Sequence, residues 1–208
     1  MEYIKISPDT SEKNIAFDEH LLNEAEQGRQ GACFRFWEIP NYTVVLGRGC
    51  SIENDVCLDN CIKDNIEIIQ RISGGGTVLL GIGCLNYSLV LPYTMNKSLA
   101  SIKGSYKYIL GNLVNSFNKK GISLTYNPVS DLAFNNRKVS GNAQARRKKY
   151  LLHHGTFLYD FDIEKISRYL KEPKKAPEYR DNRPHRDFVC NLPLSYQEIK
   201  EIIRDCFA

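Results

Sequence analysis

The chain has 208 residues, 42% of them hydrophobic and 25% charged, the ordinary makeup of one globular domain with a sizeable core. Its formal net charge of +4 fits an acidic partner or a phosphate-bearing ligand but does not argue strongly for nucleic acid. No apolar run reaches transmembrane length and Met1–Lys5 is not a signal peptide, so neither a membrane protein nor a secreted one is indicated.

Ile4 and Ile6 alternate with polar residues as in an edge strand, and Asp9-Thr10-Ser11 offers capping side chains. From Asn14 to Glu26, Ile15, Ala16, Leu21, Leu22 and Ala25 follow helical spacing, with Asp18, Glu19, Glu24 and Glu26 expected outward. Gly28 and Gly31 end that helix. Cys33–Trp37 reads as a strand, and Thr43–Gly47 as its antiparallel partner across Pro40-Asn41. Ile52–Asp64 is an expected helix and Ile66–Ile69 a strand. Thr77–Leu80 and Leu85–Leu91 read as a hairpin joined by Gly81-Ile82-Gly83-Cys84. Leu99–Lys120 is the longest helical stretch, with Tyr108, Leu110, Leu113, Val114 and Phe117 as its core stripe and Met95 packed nearby; Gly121 stops it. Short strands follow at Leu124–Tyr126, Asp131–Phe134 and Lys138–Ser140, the last two turned by Asn135-Asn136. Tyr150–Tyr159 is a long strand and Ile163–Leu170 a helix. Lys171–Asn191 is expected to run irregularly on the surface. A final helix, Ser195–Phe207, carries a Ser195–Glu198 capping box. Strands interspersed with helices, and no repeat or linker, indicate an α+β domain with mixed or antiparallel sheets.

Seven cysteines spread through the chain read as reduced thiols of a cytoplasmic protein. Cys57 and Cys61 are four apart, but no further ligands follow at zinc spacing, so no metal site is expected.

The most informative stretch is Gln70-Arg71-Ile72-Ser73-Gly74-Gly75-Gly76-Thr77-Val78-Leu79-Leu80. Three glycines let backbone N–H groups approach an anion or carbonyl closely, and Arg71 and Ser73 add a fixed charge and a hydroxyl. A flexible connection is the plain alternative. The spacing matches neither a P-loop nor a dinucleotide fingerprint. The second stretch runs from Asp131 to Gln144. Its Lys138, one residue past a hairpin turn, either points inward to stabilise developing negative charge or is simply solvated. The run Arg146–Lys149 reads as a solvated basic loop, or as a charge that steers an acidic protein partner. His153 and His154 are adjacent on a strand and point to opposite faces, so only one of them can enter a site.

Five ordered blocks, Arg71-x-Ser-Gly-Gly-Gly-Thr-Val, Gly83-Cys-Leu-Asn86-Tyr-Ser88, Asp131-Leu, Lys138-Val-Ser-Gly141-Asn-Ala-Gln144 and His154-Gly-Thr-Phe-Leu-Tyr159, together resemble the lipoate–protein ligase A family of the biotin/lipoate ligase superfamily. Asn14-Ile-Ala-Phe-Asp18-Glu and Val45-Leu-Gly-Arg48 are similar to that family as well, so the resemblance covers about residues 14 to 195. It implies a biotin/lipoate ligase-like, class II synthetase-like catalytic domain spanning 1–208, with the family's C-terminal accessory domain absent. It also implies an enzyme that joins lipoate (or octanoate) to ATP as acyl-AMP, with Mg2+, and passes the acyl group to a lysine. That lysine would lie on a lipoyl domain of a 2-oxoacid dehydrogenase or on a glycine-cleavage carrier protein.

Carried over residue by residue, Arg71, Ser73, Gly74, Gly75, Gly76 and Thr77, followed by Val78 and Leu79, would hold the acyl-adenylate. Asn86 would contact the nucleotide side and Asp131 would position the acceptor or adenylate. Lys138 would be the electrophilic stabiliser, and Ser140, Gly141, His154 and Gly155 would line the pocket. Gln70 stands where the family often has a second arginine, and Leu80-Gly81 where it often has His-Asp. A separate accessory subunit, or an enzyme that performs only the transfer, would account for the missing domain. One rival is an octanoyl or lipoyl transferase using an acyl-carrier donor and a cysteine thioester, for which Cys84 is the cysteine inside the motif region. Biotin protein ligase and a catalytically idle lipoyl-domain binder are the others.

Overall fold

The computed structural model describes residues 1–173 and 176–207; Lys174 and Lys175, part of the segment expected to run irregularly, lie outside the described residues. Helix α1 (Ser11–Glu26) starts where the Thr10 side chain accepts from the Lys13 amide, and it buries Ser11, Asn14, Asp18, Leu21, Leu22 and Ala25. That face includes Asp18, so the outward placement expected for it is wrong: one turn apart, Asn14 and Asp18 share the stripe of Leu21 and Ala25.

The strands are β1 (Glu2–Ile4), β2 (Cys33–Trp37), β3 (Thr43–Leu46), β4 (Glu67–Gln70), β5 (Val78–Leu80), β6 (Cys84–Pro92), β7 (Leu124–Asn127), β8 (Asp131–Phe134), β9 (Arg137–Arg146) and β10 (Tyr150–Leu158). They form two sheets, one of seven strands in the order β1-β2-β6-β10-β9-β8-β7 and one of three in the order β4-β3-β5. Only β1–β2 and β3–β4 run parallel, so both sheets are mixed. This corrects two expected hairpins. β3 does not pair with β2, which lies instead between β1 and β6. β5 and β6 are not partners either; the Gly81–Gly83 corner carries the chain from the small sheet to the large one. Both pairs are close in sequence and strongly apolar, and such strands alternate alike whichever sheet receives them.

The expected helix 52–64 is two short ones, α2 (Ile52–Asp55) and α3 (Leu58–Lys63). Between them Val56 bridges Leu170, and the Cys57 amide donates to the Tyr169 carbonyl at 2.9 Å. Helix α4 (Ile102–Lys119) begins after a 3-10 turn at Lys97–Ala100. It buries Tyr106 and Ile109 with Leu110, Leu113 and Phe117, while Tyr108 and Val114 pack only partly against the core. Met95 is exposed rather than packed. After α5 (Glu164–Tyr169) the segment leading to α6 (His185–Phe188) is not confined to the surface, since Arg180, His185, Phe188 and Val189 are buried. Helix α7 (Tyr196–Phe207) has the expected box, the Ser195 amide and hydroxyl both donating to Glu198.

Helices α4 and α7 cover one face of the large sheet over a core of Leu85, Tyr87, Leu89, Phe117 and Phe157. The other face meets α1 through Leu22, Val90 and Leu152, and the small sheet through Trp37, Val45 and Leu158. Because β6 is an inner strand buried from Cys84 to Leu91, its alternation decides which polar groups face which layer. Asn86 and Ser88 register with Thr156 and His154 on the face toward α1 and the small sheet. No described helix is long and apolar enough to cross a membrane.

Candidate active site

On that face the glycine loop connecting β4 to β5 lies over the large sheet. Arg71 is buried beneath it and spends its donors on the loop itself. Nε donates to Ser73 Oγ (2.8 Å), Nη2 to the carbonyls of Gly74 and Gly76 (2.8 Å each) and Nη1 to the Val45 carbonyl (3.3 Å). Burial lowers the Arg71 pKa to about 10, which leaves it charged at neutral pH. The Gly74 and Gly76 carbonyls turn to Arg71, and the N–H groups of Gly74, Gly75 and Gly76 have no protein acceptor among the described residues. Gly75 has φ +83, and a Cβ at Gly47 would come 2.1 Å from the Gly75 carbonyl, so both positions demand glycine for the loop to sit this low.

Two cavities meet under this loop. The inner one, about 140 Å³, is lined by Ile15, Trp37, Val45, Val78 and Leu80 together with Asn86, His154 and Gly155. The outer one, about 460 Å³, is bounded by Asp55, Asp131, Ser140, Arg180, His185 and Phe188. Gly76, Thr77, Val78, Ser130, Lys138, Gly141 and Thr156 line both and so mark the junction. Two buried polar atoms along this path, Trp37 Nε1 and Thr77 Oγ1, have no hydrogen-bond partner among the described residues.

Lys138 projects into the junction. Val139 is an extra residue in the β8–β9 pairing, and the bulge it makes sets the direction of Lys138. Nζ lies 2.7 Å from Asp131 Oδ1, and the Tyr179 hydroxyl donates to Asp131 Oδ2 (2.9 Å). Burial, then Asp131, raises the Tyr179 pKa, which keeps its proton in that bond. Gly141 makes the room: a Cβ there would lie 3.0 Å from Lys138 Cε and 3.1 Å from Nζ. The ammonium is thus held, partly exposed, where a reacting carbonyl or phosphate would pass between the cavities.

The two histidines behave as strand alternation requires. His154 enters the site face, with Nε2 2.6 Å from Ser73 Oγ and Nδ1 3.1 Å from Asp18 Oδ2. His153 points to the α4 side and is fully buried. There Gln144 Nε2 lies 3.1 Å from its Nδ1, and the Tyr87 hydroxyl 3.1 Å from its Nε2. Tyr87 donates to Asn142 Oδ1 (2.6 Å), and Asn142 Nδ2 donates to the Ser130 carbonyl (2.8 Å) and Ser140 Oγ (3.1 Å). Burial, with His154 next to it, lowers the His153 pKa to about 3. Gly155 carries no side chain because Asn142 Oδ1 lies 1.8 Å from where its Cβ would be.

Of the residues expected in the site, Gly75, Gly76, Thr77, Val78, Leu79, Asn86, Asp131, Lys138, Ser140, Gly141, His154 and Gly155 line one cavity or both. Arg71 reaches the inner cavity while bracing the loop from below; Ser73 is fully buried and Gly74 lines neither cavity. Asn86 spends its amide on the carbonyls of Trp37 and Cys84. Cys84 is fully buried, burial pushes its thiol pKa up, and it lines neither cavity, so the nucleophile suggested for it is excluded at that position. None of the seven cysteines lines either cavity. The basic run is not simply solvated: Arg146 stacks on Tyr93 and donates to the Leu99 carbonyl, and Arg147 pairs with Glu19. Sequence reasoning missed Asp18, Trp37, Asn142, Tyr179 and Arg180 as parts of the site. For Asp18 a signal existed, a carboxylate on the apolar stripe of α1.

Residues 10–208 match the family model described as the lipoyl protein ligase A/B catalytic domain. The chain is 33% identical over 170 residues to a probable lipoate-protein ligase A of Mycoplasma pneumoniae, covering 79% of this chain and 49% of that protein. It is 30% identical over 187 residues to an octanoyltransferase LipM of Clostridioides difficile, covering 81% of this chain and 68% of that one. The chain therefore spans about half the length of the mycoplasma relative. A solved lipoate-protein ligase A bound with ATP superposes with TM-score 0.83 at 23% identity, over 99% of this chain and 83% of that one. A bi-partite lipoate protein ligase from Thermoplasma acidophilum, studied with its E2 lipoyl domain, gives 0.82 at 24%, over 99% and 81%.

Proposed function

Since the chain belongs to the lipoyl protein ligase A/B catalytic-domain family, we propose that it is an acyltransferase that activates lipoate or octanoate with ATP and passes the acyl group to a lysine of a lipoyl domain. The observation that carries this reading is the junction. A narrow, mostly apolar cavity that suits a short acyl chain opens at Lys138 into a wider one that suits a nucleotide, along a loop whose Gly75 and Gly76 N–H groups have no protein acceptor among the described residues. An acyl-adenylate is a molecule of that shape: an apolar tail, then a mixed anhydride, then a nucleoside.

In this reading the loop N–H groups and Lys138 bind the anhydride oxygens and stabilise the charge that develops as the acceptor amine attacks the acyl carbonyl. Asp131 keeps Lys138 in place, and Arg71 acts indirectly, by holding the loop. Trp37 Nε1 and Thr77 Oγ1, both buried and without partners among the described residues, fit a bound ligand. ATP supplies the leaving group. Mg2+ would come with the ATP, held by its phosphates.

Residues 1–208 act as one catalytic unit, in the cytoplasm, and the T. acidophilum ligase makes a separate accessory subunit part of the proposal. The acceptor would be a lipoyl domain of a 2-oxoacid dehydrogenase or a glycine-cleavage carrier. A thioester route is the weaker reading, because no cysteine lines either cavity.

The test is the intact mass of an apo lipoyl domain after incubation with the protein in two parallel mixtures. One holds lipoate and Mg-ATP; the other holds octanoyl-loaded acyl carrier protein without ATP. Acylation in the first alone supports the ligase reading, and acylation in the second alone overturns it in favour of a transferase. If neither reacts, synthetic lipoyl-AMP separates an enzyme that only transfers from an idle binder.

A further inference from the structure

Behind the glycine loop runs a chain of hydrogen bonds whose direction is fixed from one end. Asp18 is buried on α1, and its carboxylate can only accept. Its Oδ2 takes the Ser88 hydroxyl (2.7 Å) and lies 3.1 Å from His154 Nδ1, so Nδ1 carries the hydrogen. In the neutral ring Nε2 is then an acceptor, and the Ser73 hydroxyl, 2.6 Å away, donates to it. Ser73 Oγ in turn accepts from Arg71 Nε (2.8 Å), and Arg71 grips the carbonyls of Gly74 and Gly76. Every hydrogen along the line has one acceptor; reversing the first bond would make Nε2 a donor, so that Ser73 Oγ accepts from both His154 and Arg71 and its own hydroxyl hydrogen loses the Nε2 acceptor.

We infer that Asp18 is a positioning residue: acting through His154 and Ser73, it sets the direction of the hydrogen bonds that hold the glycine loop down on Arg71. Its effect on acyl transfer rests on the reading proposed above; its effect on the loop does not.

Asp18→Asn is the matched perturbation. Asp18 Oδ1 faces Arg35 Nε at 3.5 Å, so the amide keeps its oxygen toward that guanidinium and turns its NH2 toward His154 and Ser88. The NH2 then donates where the carboxylate accepted, forcing the opposite tautomer on His154. The reporter is the Arg48 amide, which donates to the Ser73 carbonyl (2.9 Å). Its hydrogen exchange is measured by NMR in the free protein, with no substrate present. Asp18→Asn is expected to speed it about tenfold, the factor that one net hydrogen bond is worth. Ser88→Ala, which removes the other donor to the same oxygen, is expected to leave it within about twofold. Ser73→Ala is expected to match Asp18→Asn, and the double variant to be no faster than either single one, because both break the same line.

Exchange in Asp18→Asn within about twofold of wild type overturns the inference, and so do single-variant effects that multiply in the double variant, as a merely structural role predicts. If Asp18→Asn does not fold, His154→Gln replaces it in the same cycle with Ser73→Ala and is judged by the same criteria. In an active enzyme Asp18→Asn raises the KM for acyl-adenylate. A protein without that activity would leave the exchange result standing, so the two readings fail separately.

Discussion

Gly141→Ala tests the site through one methyl group. The new Cβ would lie 3.0 Å from Lys138 Cε and 3.1 Å from Nζ, against the roughly 3.5–4.0 Å that carbon contacts prefer. The backbone can accept alanine, because Gly141 is not in the left-handed region. What yields is the free end of Lys138, which must retreat by about half an ångström or more. The ion pair with Asp131 is partly exposed, the two side chains at 30% and 11%, so disturbing it costs at most about 1 kcal/mol. Removing a glycine from a strand returns a similar amount, and stability should therefore stay within about 1 kcal/mol of wild type. The rate should not. A displacement on the order of 1 Å costs about 100-fold, so half of it predicts a loss of roughly 10- to 100-fold in transfer from synthetic acyl-adenylate to an apo lipoyl domain, followed by intact mass under single turnover. In a Lys138→Ala background the same substitution should add nothing. Wild-type transfer, within about twofold, by a stable Gly141→Ala protein would refute the placement of Lys138 at the reacting centre.

Lys138→Ala should lower transfer by about 100- to 1,000-fold, the usual loss for one oxyanion donor, with little change in unfolding; near-normal turnover counts against its role. Gly75→Val places a β-branched residue at φ +83 with its Cβ 3.2 Å from Arg71 Nη2. It should abolish ATP binding by calorimetry, and binding within about threefold of wild type would show that the loop is not the cradle. Gly155→Ala drives a methyl to 1.8 Å from Asn142 Oδ1 and breaks the Tyr87–Asn142 bond, for an expected loss of about 2–4 kcal/mol in urea unfolding. A loss below about 1 kcal/mol would mean the packing there is looser than described. For His153 the folded pKa is lowered to about 3 from an ordinary value near 6.5. Between those values the unfolded chain binds the extra proton, so stability is full above about pH 6.5 and falls as pH drops toward 3. His153→Gln removes that dependence, so the stability advantage of wild type over the variant should shrink by about 1 kcal/mol per pH unit below about pH 6. A difference that does not change with pH refutes it.

The site residues were more legible in the sequence than the connections between strands. Three glycines beside Arg71, and Lys138 after an Asn-Asn turn, are local signals, and the structure brings Gly76, Thr77 and Lys138 together at one junction. Pairing is not local. Thr43–Leu46 and Val78–Leu80 are apolar runs that fit either sheet, and only the packing of the small sheet over Trp37 and Leu158 decides between them. Arg71 illustrates the limit from the other side. Its type and position were legible, but four of its hydrogen bonds go to its own loop and to β3, which requires the closed geometry to see. Arg180 and His185, in a segment whose composition reads as surface, are buried because the chain turns back along β9, where Val189 bridges Lys138.

The adjacent histidines show how one strand serves both halves of such a site. A strand sends successive side chains to opposite faces. His154 therefore joins α1 to the glycine loop through Asp18 and Ser73, while His153 joins Gln144 to Asn142 through Tyr87 on the far side. Asn142 then reaches back to Ser130 and Ser140, both on the wall of the outer cavity that contains Lys138. Gly155 is what allows the second line to pass, since any side chain there would occupy the space of Asn142 Oδ1. Two separate buried networks, anchored one residue apart on β10, thus end at the glycine loop and at the Ser130 and Ser140 wall of the cavity that contains Lys138. In the proposed reaction, preorganisation of this kind would let backbone donors and a single lysine stabilise a transient charge without moving when it forms.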